Sequence, residues 1–411
     1  MPSDVGILRQ LSRIDWNFEG ALSNYGLHRL HWYPGTFIPQ IPSHLIELFS
    51  RPGDSVYDPF CGIGTTLLEA VRLGRIAIGS DVNEIAVNVA KAKLHFIRPE
   101  TLRSRSSRFG DDVISKCDRF GLQGGKVLFS KGSTAFLSGV ADRFEILRPW
   151  YHAETWREML VLRQAIDDET GRFSDLLKVV FSRVAKRCSS QRNHWGYVAD
   201  NMRPKTLIYV DAIAAFLDAL NQVIEAFERF LALPELRHFT VSQLNARSKV
   251  YKANLLNGSP LAAESVDLVV TSPPYPNVTD YTRAQRLSLW WFSKAVDDLR
   301  EMEIGARFKR NRDGAIKTYL DQMNACCRNI SEALLPGGYM CLVIGESEKQ
   351  RKSFGVIAEI VRELERLGVR QVHEPLKRNR TRERLRRRDG ESNDEFIIIL
   401  RKQKRRAKSL N

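Results

Sequence analysis

Three groups of residues have the types and spacing to do chemistry. The first is DPFCGIGTT at 58–66, which follows a short buried-strand pattern. Gly62 and Gly64 let the backbone pass close to a ligand, where a Cβ would clash. The second is Asp81, which ends the next strand pattern, RIAIGSD at 75–81. A carboxylate there can accept both ribose hydroxyls of an adenosine-containing cofactor. The third is TSPPY at 271–275, directly after VDLVV. Two consecutive prolines end a strand and stiffen the loop behind it. Ser272 and the carbonyl oxygens of Ser272 and Pro273 can accept N–H bonds from an amino group, and Tyr275 offers a flat stacking surface.

These loops need a frame. IPSHLIELF (41–49) reads as a helix with Ser43 as its cap, and RPGD (51–54) as a turn. A strand at 55–60, a helix at 65–74, a strand at 75–81 and a helix at 83–96 open a parallel α/β sheet. Residues 99–145 read as irregular and polar, whereas 158–167, 175–188 and 206–233 have helical periodicity. The α/β pattern returns with strands at 248–256 and 266–275 and a helix at 315–334. A PGG turn (336–338), a strand at 339–347 and a helix at 354–368 follow, and 369–378 and 394–402 make a closing antiparallel pair.

The chain has 411 residues, material for two or three domains. With 43% apolar and 27% charged residues, disorder and collagen-like structure are excluded as whole-chain descriptions. Lys and Arg number 63 against 48 Asp and Glu, a net charge of +15 that points to a polyanion, nucleic acid before an anionic membrane. The six cysteines show no CxxC spacing, so neither a disulfide scaffold nor a zinc ribbon is expected. No signal-peptide pattern and no membrane-spanning apolar run are present, which predicts a soluble protein of the cytoplasm.

DPFCGIGTT, Asp81 and TSPPY together resemble motifs I, II and IV of the S-adenosylmethionine-dependent DNA methyltransferases that modify exocyclic amino groups. HRLHWYPGTFIPQIPSHLI (28–46) resembles the segment that precedes motif I in many of them. The serine of SPPY is similar to the cytosine-N4 branch; adenine-N6 members more often carry Asp or Asn. The resemblance implies a doubly wound, mostly parallel, seven-stranded Rossmann-like sheet. The chain divides into an N-terminal extension (1–27), a catalytic domain that carries the resemblance (28–96 and 248–402), a mostly helical insertion assigned by default to target recognition (97–247) and a basic tail (403–411). The resemblance implies that Tyr33, Phe37, Asp58, Phe60, Gly62, Gly64, Thr65, Asp81 and Asn254 surround S-adenosylmethionine. Asn254 stands where many relatives carry an acidic residue.

Ser272, Pro273, Pro274 and Tyr275 would hold a cytosine flipped out of double-stranded DNA for direct methyl transfer to N4. No Pro-Cys pair of the kind used for C5 attack is present. A cognate restriction endonuclease is the implied protein partner. The rival readings are the same chemistry at adenine N6 or on RNA, and a non-enzymatic nucleic-acid reader with a vestigial cofactor fold.

KRNRTRERLRRR (377–388) holds eight basic residues and one acidic, and Arg378, Arg380, Arg382 and Arg386 are read as phosphate contacts. Arg283, after SPPY, is a further candidate, and Trp290 and Trp291 are read as core. SSQRNHWGYVADNMRPK (189–205) holds residue types that read base edges, among them Gln191. His28 and His31 lack a third metal ligand nearby, and Cys326 and Cys327 read as helix packing.

Overall fold

The computed structural model describes residues 4–22, 25–119, 122–123, 126–127, 141–191, 203–292, 296–347, 355–378 and 393–404. Its centre is a sheet of β1 (Ser55–Asp58), β2 (Ile76–Asp81), β3 (Ser248–Lys252), β4 (Val266–Thr271), β5 (Leu334–Ser347), β6 (Val369–Gln371), β7 (Leu376–Arg378) and β8 (Asn393–Lys402). The order is β3-β2-β1-β4-β5-β8-β6, with β7 also paired to β8. The strands β1 to β5 run parallel, and β8 is antiparallel to β5, β6 and β7. This is the doubly wound, Rossmann-like sheet expected, with one strand more. The extra strand arises because the first arm of the closing pair is split ahead of Pro375, which has no N–H to give the ladder.

Period-two alternation sends neighbouring residues to opposite faces. Val56, Leu268, Val270, Cys341, Val343, Ile397 and Ile399 join one apolar cluster. Tyr57, Val269, Met340, Leu342, Ile344, Ile398 and Leu400 join the other. Ala315–Ala333 and Val356–Arg366 cover the second face through Tyr319, Met323, Cys326, Cys327, Ile360 and Leu364. Gln40–Phe49, Thr65–Arg72 and Glu84–Leu94 cover the first, and the helices of 97–247 extend that same cluster. The insertion is therefore a much enlarged β2-to-β3 crossover that shares the sheet's core.

Four local expectations change. Pro99–Arg119 is a helix, not irregular chain. Proline suits its first position, and Leu102, Ser106, Phe109, Val113 and Cys117 form a narrow buried stripe on an otherwise polar segment. Ala212–Leu231 starts six residues later than expected, because the Asp211 carboxylate accepts the Ala214 N–H at 2.8 Å and caps it there. Ser43 lies inside its helix rather than at the cap, and its Oγ accepts from Arg72 Nη2 at 2.8 Å. The PGG residues lie within β5, where the register with β4 shifts between Val266 and Leu268.

The insertion is tied to the segment after SPPY by aromatic packing. Trp291 is buried, as expected, with Phe144, Trp156 and Phe181 ring centroids at 4.7, 5.3 and 5.0 Å. Its indole N–H donates to the Tyr151 hydroxyl at 3.2 Å. Trp290 packs beside it against Trp150 at 5.1 Å.

Candidate active site

β1 has β2 on one side and β4 on the other, so the chain changes winding direction between β1 and β4. That switch point is where ligands bind in open α/β sheets, beyond the strands' carboxyl ends. A cleft with about 960 Å³ of empty space, open to solvent, lies there. Of the residues expected at the cofactor, Tyr33, Phe37, Phe60, Gly62, Thr65, Asp81 and Asn254 line it, as do Ser272 and Pro274 of the SPPY loop. The two loops, some two hundred residues apart in sequence, meet at one cleft.

The glycine loop is shaped from below. Gly62 N–H donates to Asp81 Oδ2 at 2.9 Å, while Asn83 N–H donates to Oδ1 at 2.8 Å. Asp81 thus braces the loop and still has lone pairs toward the cleft. Burial pushes its carboxyl up to about 6 against the pull of those N–H bonds. Gly64 does not line the cleft. It starts the helix at φ 76°, and a Cβ there would sit 3.0 Å from Ala90 Cβ. Asp58 is buried beneath the loop rather than in it. Its Oδ1 accepts from Phe60 N–H at 3.2 Å and from Thr271 Oγ1 at 2.6 Å, joining the glycine loop to the residue before SPPY. Burial raises the Asp58 carboxyl to about 6. Asn254 uses its side-chain oxygen to cap Leu255–Asn257, accepting from Leu256 N–H at 3.0 Å.

Tyr275 departs from the expected stacking role. Its ring lies against Gly345, where a Cβ would come within 2.6 Å of it, and it does not line the cleft. Its hydroxyl accepts from Ser272 Oγ at 3.1 Å and sits 2.9 Å from Glu395 Oε1 and 3.2 Å from the Val343 carbonyl. Tyr275 therefore positions Ser272. Pro273 is likewise outside the cleft lining, and the Pro274 carbonyl already accepts from Tyr319 Oη at 2.9 Å. Ser272 lines the cleft, with its Oγ lone pairs not used by the bond to Tyr275.

Arg378 is also corrected. It is buried and ion-paired with buried Glu395, and its Nε donates to the Trp16 carbonyl at 3.1 Å. A guanidinium so enclosed is no phosphate contact. It serves instead as counter-ion to the carboxylate that holds Tyr275. Arg380, Arg382 and Arg386 lie outside the described residues, as do 192–202 of the polar loop; Gln191 is buried. Arg283 is half-buried on the short helix Tyr281–Ala284. At the end of β8, Lys402 Nζ donates to the Ser331 and Leu334 carbonyls at 2.8 and 2.7 Å, a structural role. His28 and His31 have separate partners, Glu69 and Ser182, each at 2.8 Å.

Sequence reasoning missed one wall of the cleft. Tyr281, Thr282, Leu299, Met302, Glu303 and Ile304 form it. The Tyr281 ring stacks on Tyr33 at 5.6 Å and 20°. Glu303 accepts from the backbone N–H groups of Tyr281, at 3.2 Å, and Thr282, and burial raises its carboxyl to about 7. Cys61 also lines the cleft, but burial pushes its thiol well above the usual range, so it is no nucleophile there.

A DNA methylase family model for N6 and N4 methyltransferases matches residues 11–92. The type II methyltransferase M.MvaI of Kocuria varians is 26% identical over 66% of this chain and 58% of its own length. The type II methyltransferase M.MjaII of Methanocaldococcus jannaschii is 22% identical over 83% of this chain and 76% of its own. A solved SAM-dependent methyltransferase of Methanosarcina mazei covers 91% of this chain and 99% of its own at 10% identity and a TM-score of 0.33. The family model and the two type II relatives make this chain similar to DNA methylases over part of its length, while its fold rests on the strand order above. Among the described residues, no helix is long and apolar enough to cross a membrane.

The cleft residues fit S-adenosylmethionine. The glycine loop leaves room for a close backbone approach, Asp81 faces the cleft as a hydroxyl acceptor, and Tyr33, Phe37 and Phe60 supply apolar walls.

Proposed function

We propose that this protein is a DNA methyltransferase acting on the exocyclic N4 amino group of cytosine. The observation that carries this is the meeting of Ser272 and the Asp81-braced glycine loop at one cleft. When bound, S-adenosylmethionine supplies an electrophilic methyl group on a sulfonium. Asp81 accepts the ribose hydroxyls, and Tyr33, Phe37 and Phe60 exclude water from around it.

The exocyclic amine of cytosine is a weak nucleophile, because its lone pair is delocalised into the ring. Ser272 Oγ and the neighbouring carbonyls accept its two N–H bonds and draw the nitrogen toward tetrahedral geometry. The lone pair is then free to point at the methyl carbon. The amino nitrogen would take the methyl group as the sulfonium leaves as a thioether, and would release its surplus proton to solvent. Catalysis is thus by positioning and hydrogen-bond acceptance. Because Ser272 Oγ donates to Tyr275, its lone pairs are the ones left for the base. The base cannot be reached inside a duplex and must be flipped out. By its place beside the segment after SPPY, the 97–247 insertion takes the role of target recognition.

Ser272→Ala tests the assignment. Turnover should fall about 100-fold or more while calorimetric S-adenosylmethionine binding stays near wild type. Equal loss of both would overturn the role given to Ser272.

A further inference from the structure

The cleft lining contains Asp81 and Glu303 but neither Lys nor Arg. A nucleotide inserting its base there meets no cation in the lining for its phosphates, so cations must hold the backbone outside it. The 377–388 run is the obvious candidate in the sequence, yet Arg378 is buried in an ion pair.

A different basic segment directly follows one wall of the cleft in the chain. Met302, 40% exposed, marks the rim, and Glu303 and Ile304 line the cleft beside it. The chain then continues as ARFKRNRDGAIK (306–317), with five basic residues and one acidic. It is fastened to the extension of the SPPY loop. Asn277 N–H donates to the Gly305 carbonyl at 2.8 Å, Arg307 N–H to the Thr279 carbonyl at 3.3 Å, and Phe308 N–H to Asp280 Oδ1 at 2.8 Å.

Some of its charges have structural work. Lys309 Nζ donates to the Glu303 carbonyl at 2.8 Å, and Arg312 pairs with Glu301 at 3.1 Å. Arg300 and Arg312 flank the Phe308 ring at 4.4 and 5.3 Å. Arg307 and Arg310 are different. Both are exposed, and neither guanidinium has a hydrogen-bond or ion-pair partner among the described residues.

We infer that Arg307 and Arg310 bind the DNA backbone phosphates next to the flipped nucleotide and so position the target strand over the cleft. This rests on the DNA reading above. The rigid attachment to 277–280 sets where those phosphates lie relative to Ser272. Such contacts add affinity and register but no sequence information.

The test is binding of a labelled duplex to the full chain from about 50 to about 200 mM salt. Each phosphate contact contributes roughly 0.9 to the slope of log affinity against log salt, so Arg307→Ala/Arg310→Ala should be shallower by about 1.8. Arg307→Lys/Arg310→Lys should restore most of the slope, because the charge remains. S-adenosylmethionine affinity and melting temperature should not change in either variant. A wild-type slope in the alanine variant, with normal DNA binding by the unaltered chain, overturns the assignment. So does loss of cofactor binding or folding in that variant, or a failure of the lysine pair to restore the slope. Binding by the unaltered chain to RNA but not to DNA would instead overturn the DNA reading, and the assignment with it.

Discussion

Replacing Arg378 by Ala separates the two readings of the basic hairpin. Side-chain exposure is 8% for Arg378 and 2% for Glu395 in their ion pair. Removing the guanidinium leaves the Glu395 carboxylate buried without this counter-ion, which costs about 3–5 kcal/mol. For 411 residues unfolding as one cooperative unit, at roughly 2.1 cal/mol/K per residue, that cost lowers Tm by about 3–6 °C. Differential scanning calorimetry reads this directly. Arg378→Met combined with Glu395→Leu should recover most of the loss, since a buried pair replaced whole by apolar groups is close to neutral. A Tm for Arg378→Ala within about 1 °C of wild type, together with weaker DNA binding, would refute the structural role and restore the phosphate contact.

Other perturbations give distinct signatures. Lys93 is fully buried, its Nζ has no hydrogen-bond partner among the described residues, and desolvation lowers its amine to about 7. Between that value and the ordinary 10.5 the unfolded chain holds a proton that the folded chain has lost, so stability should rise with pH across that window. Lys93→Met should raise stability at neutral pH by on the order of 3–5 kcal/mol and abolish that rise, and unchanged denaturant midpoints would contradict it. Asp81 and Glu303 are raised by burial to about 6 and about 7, so the folded apo protein holds protons that the unfolded chain gives up at lower pH. Its stability should therefore fall as pH rises through that range, while calorimetric S-adenosylmethionine affinity rises as Asp81 ionises. A flat affinity profile from about pH 5 to about pH 8 would remove Asp81 as a charged acceptor.

Much of the fold and of the cleft is legible in the sequence because the signals are local. Gly62 and Gly64 permit backbone shapes that other residues rarely adopt, Pro273 and Pro274 restrict theirs, and the near-continuous apolar runs of VDLVV and EFIIIL mark strands with two buried faces. The helix Pro99–Arg119 is not legible, since four apolar residues and one serine are a thin stripe in a polar segment. Glu303 is not legible for another reason. Its contacts reach back about twenty residues to backbone N–H groups, and no spacing rule announces a carboxylate that serves a distant stretch of main chain. Arg378 misleads because a charge run has no inward direction in sequence. Only the pairing of β7 with β8, which sets Arg378 opposite Glu395, turns that one arginine into the core.

The central claim is the identity of the methylated atom, and product analysis tests it most directly. The protein is incubated with S-adenosylmethionine and unmethylated DNA of varied sequence, and the digested nucleosides are examined by mass spectrometry. The expected product is N4-methylcytosine, formed about 100-fold or more slowly in the Ser272→Ala reaction. N6-methyladenine as the product would contradict the cytosine assignment while keeping the cleft chemistry. The absence of any methylated base, with cofactor bound and DNA of every sequence context supplied, would contradict the DNA methyltransferase reading.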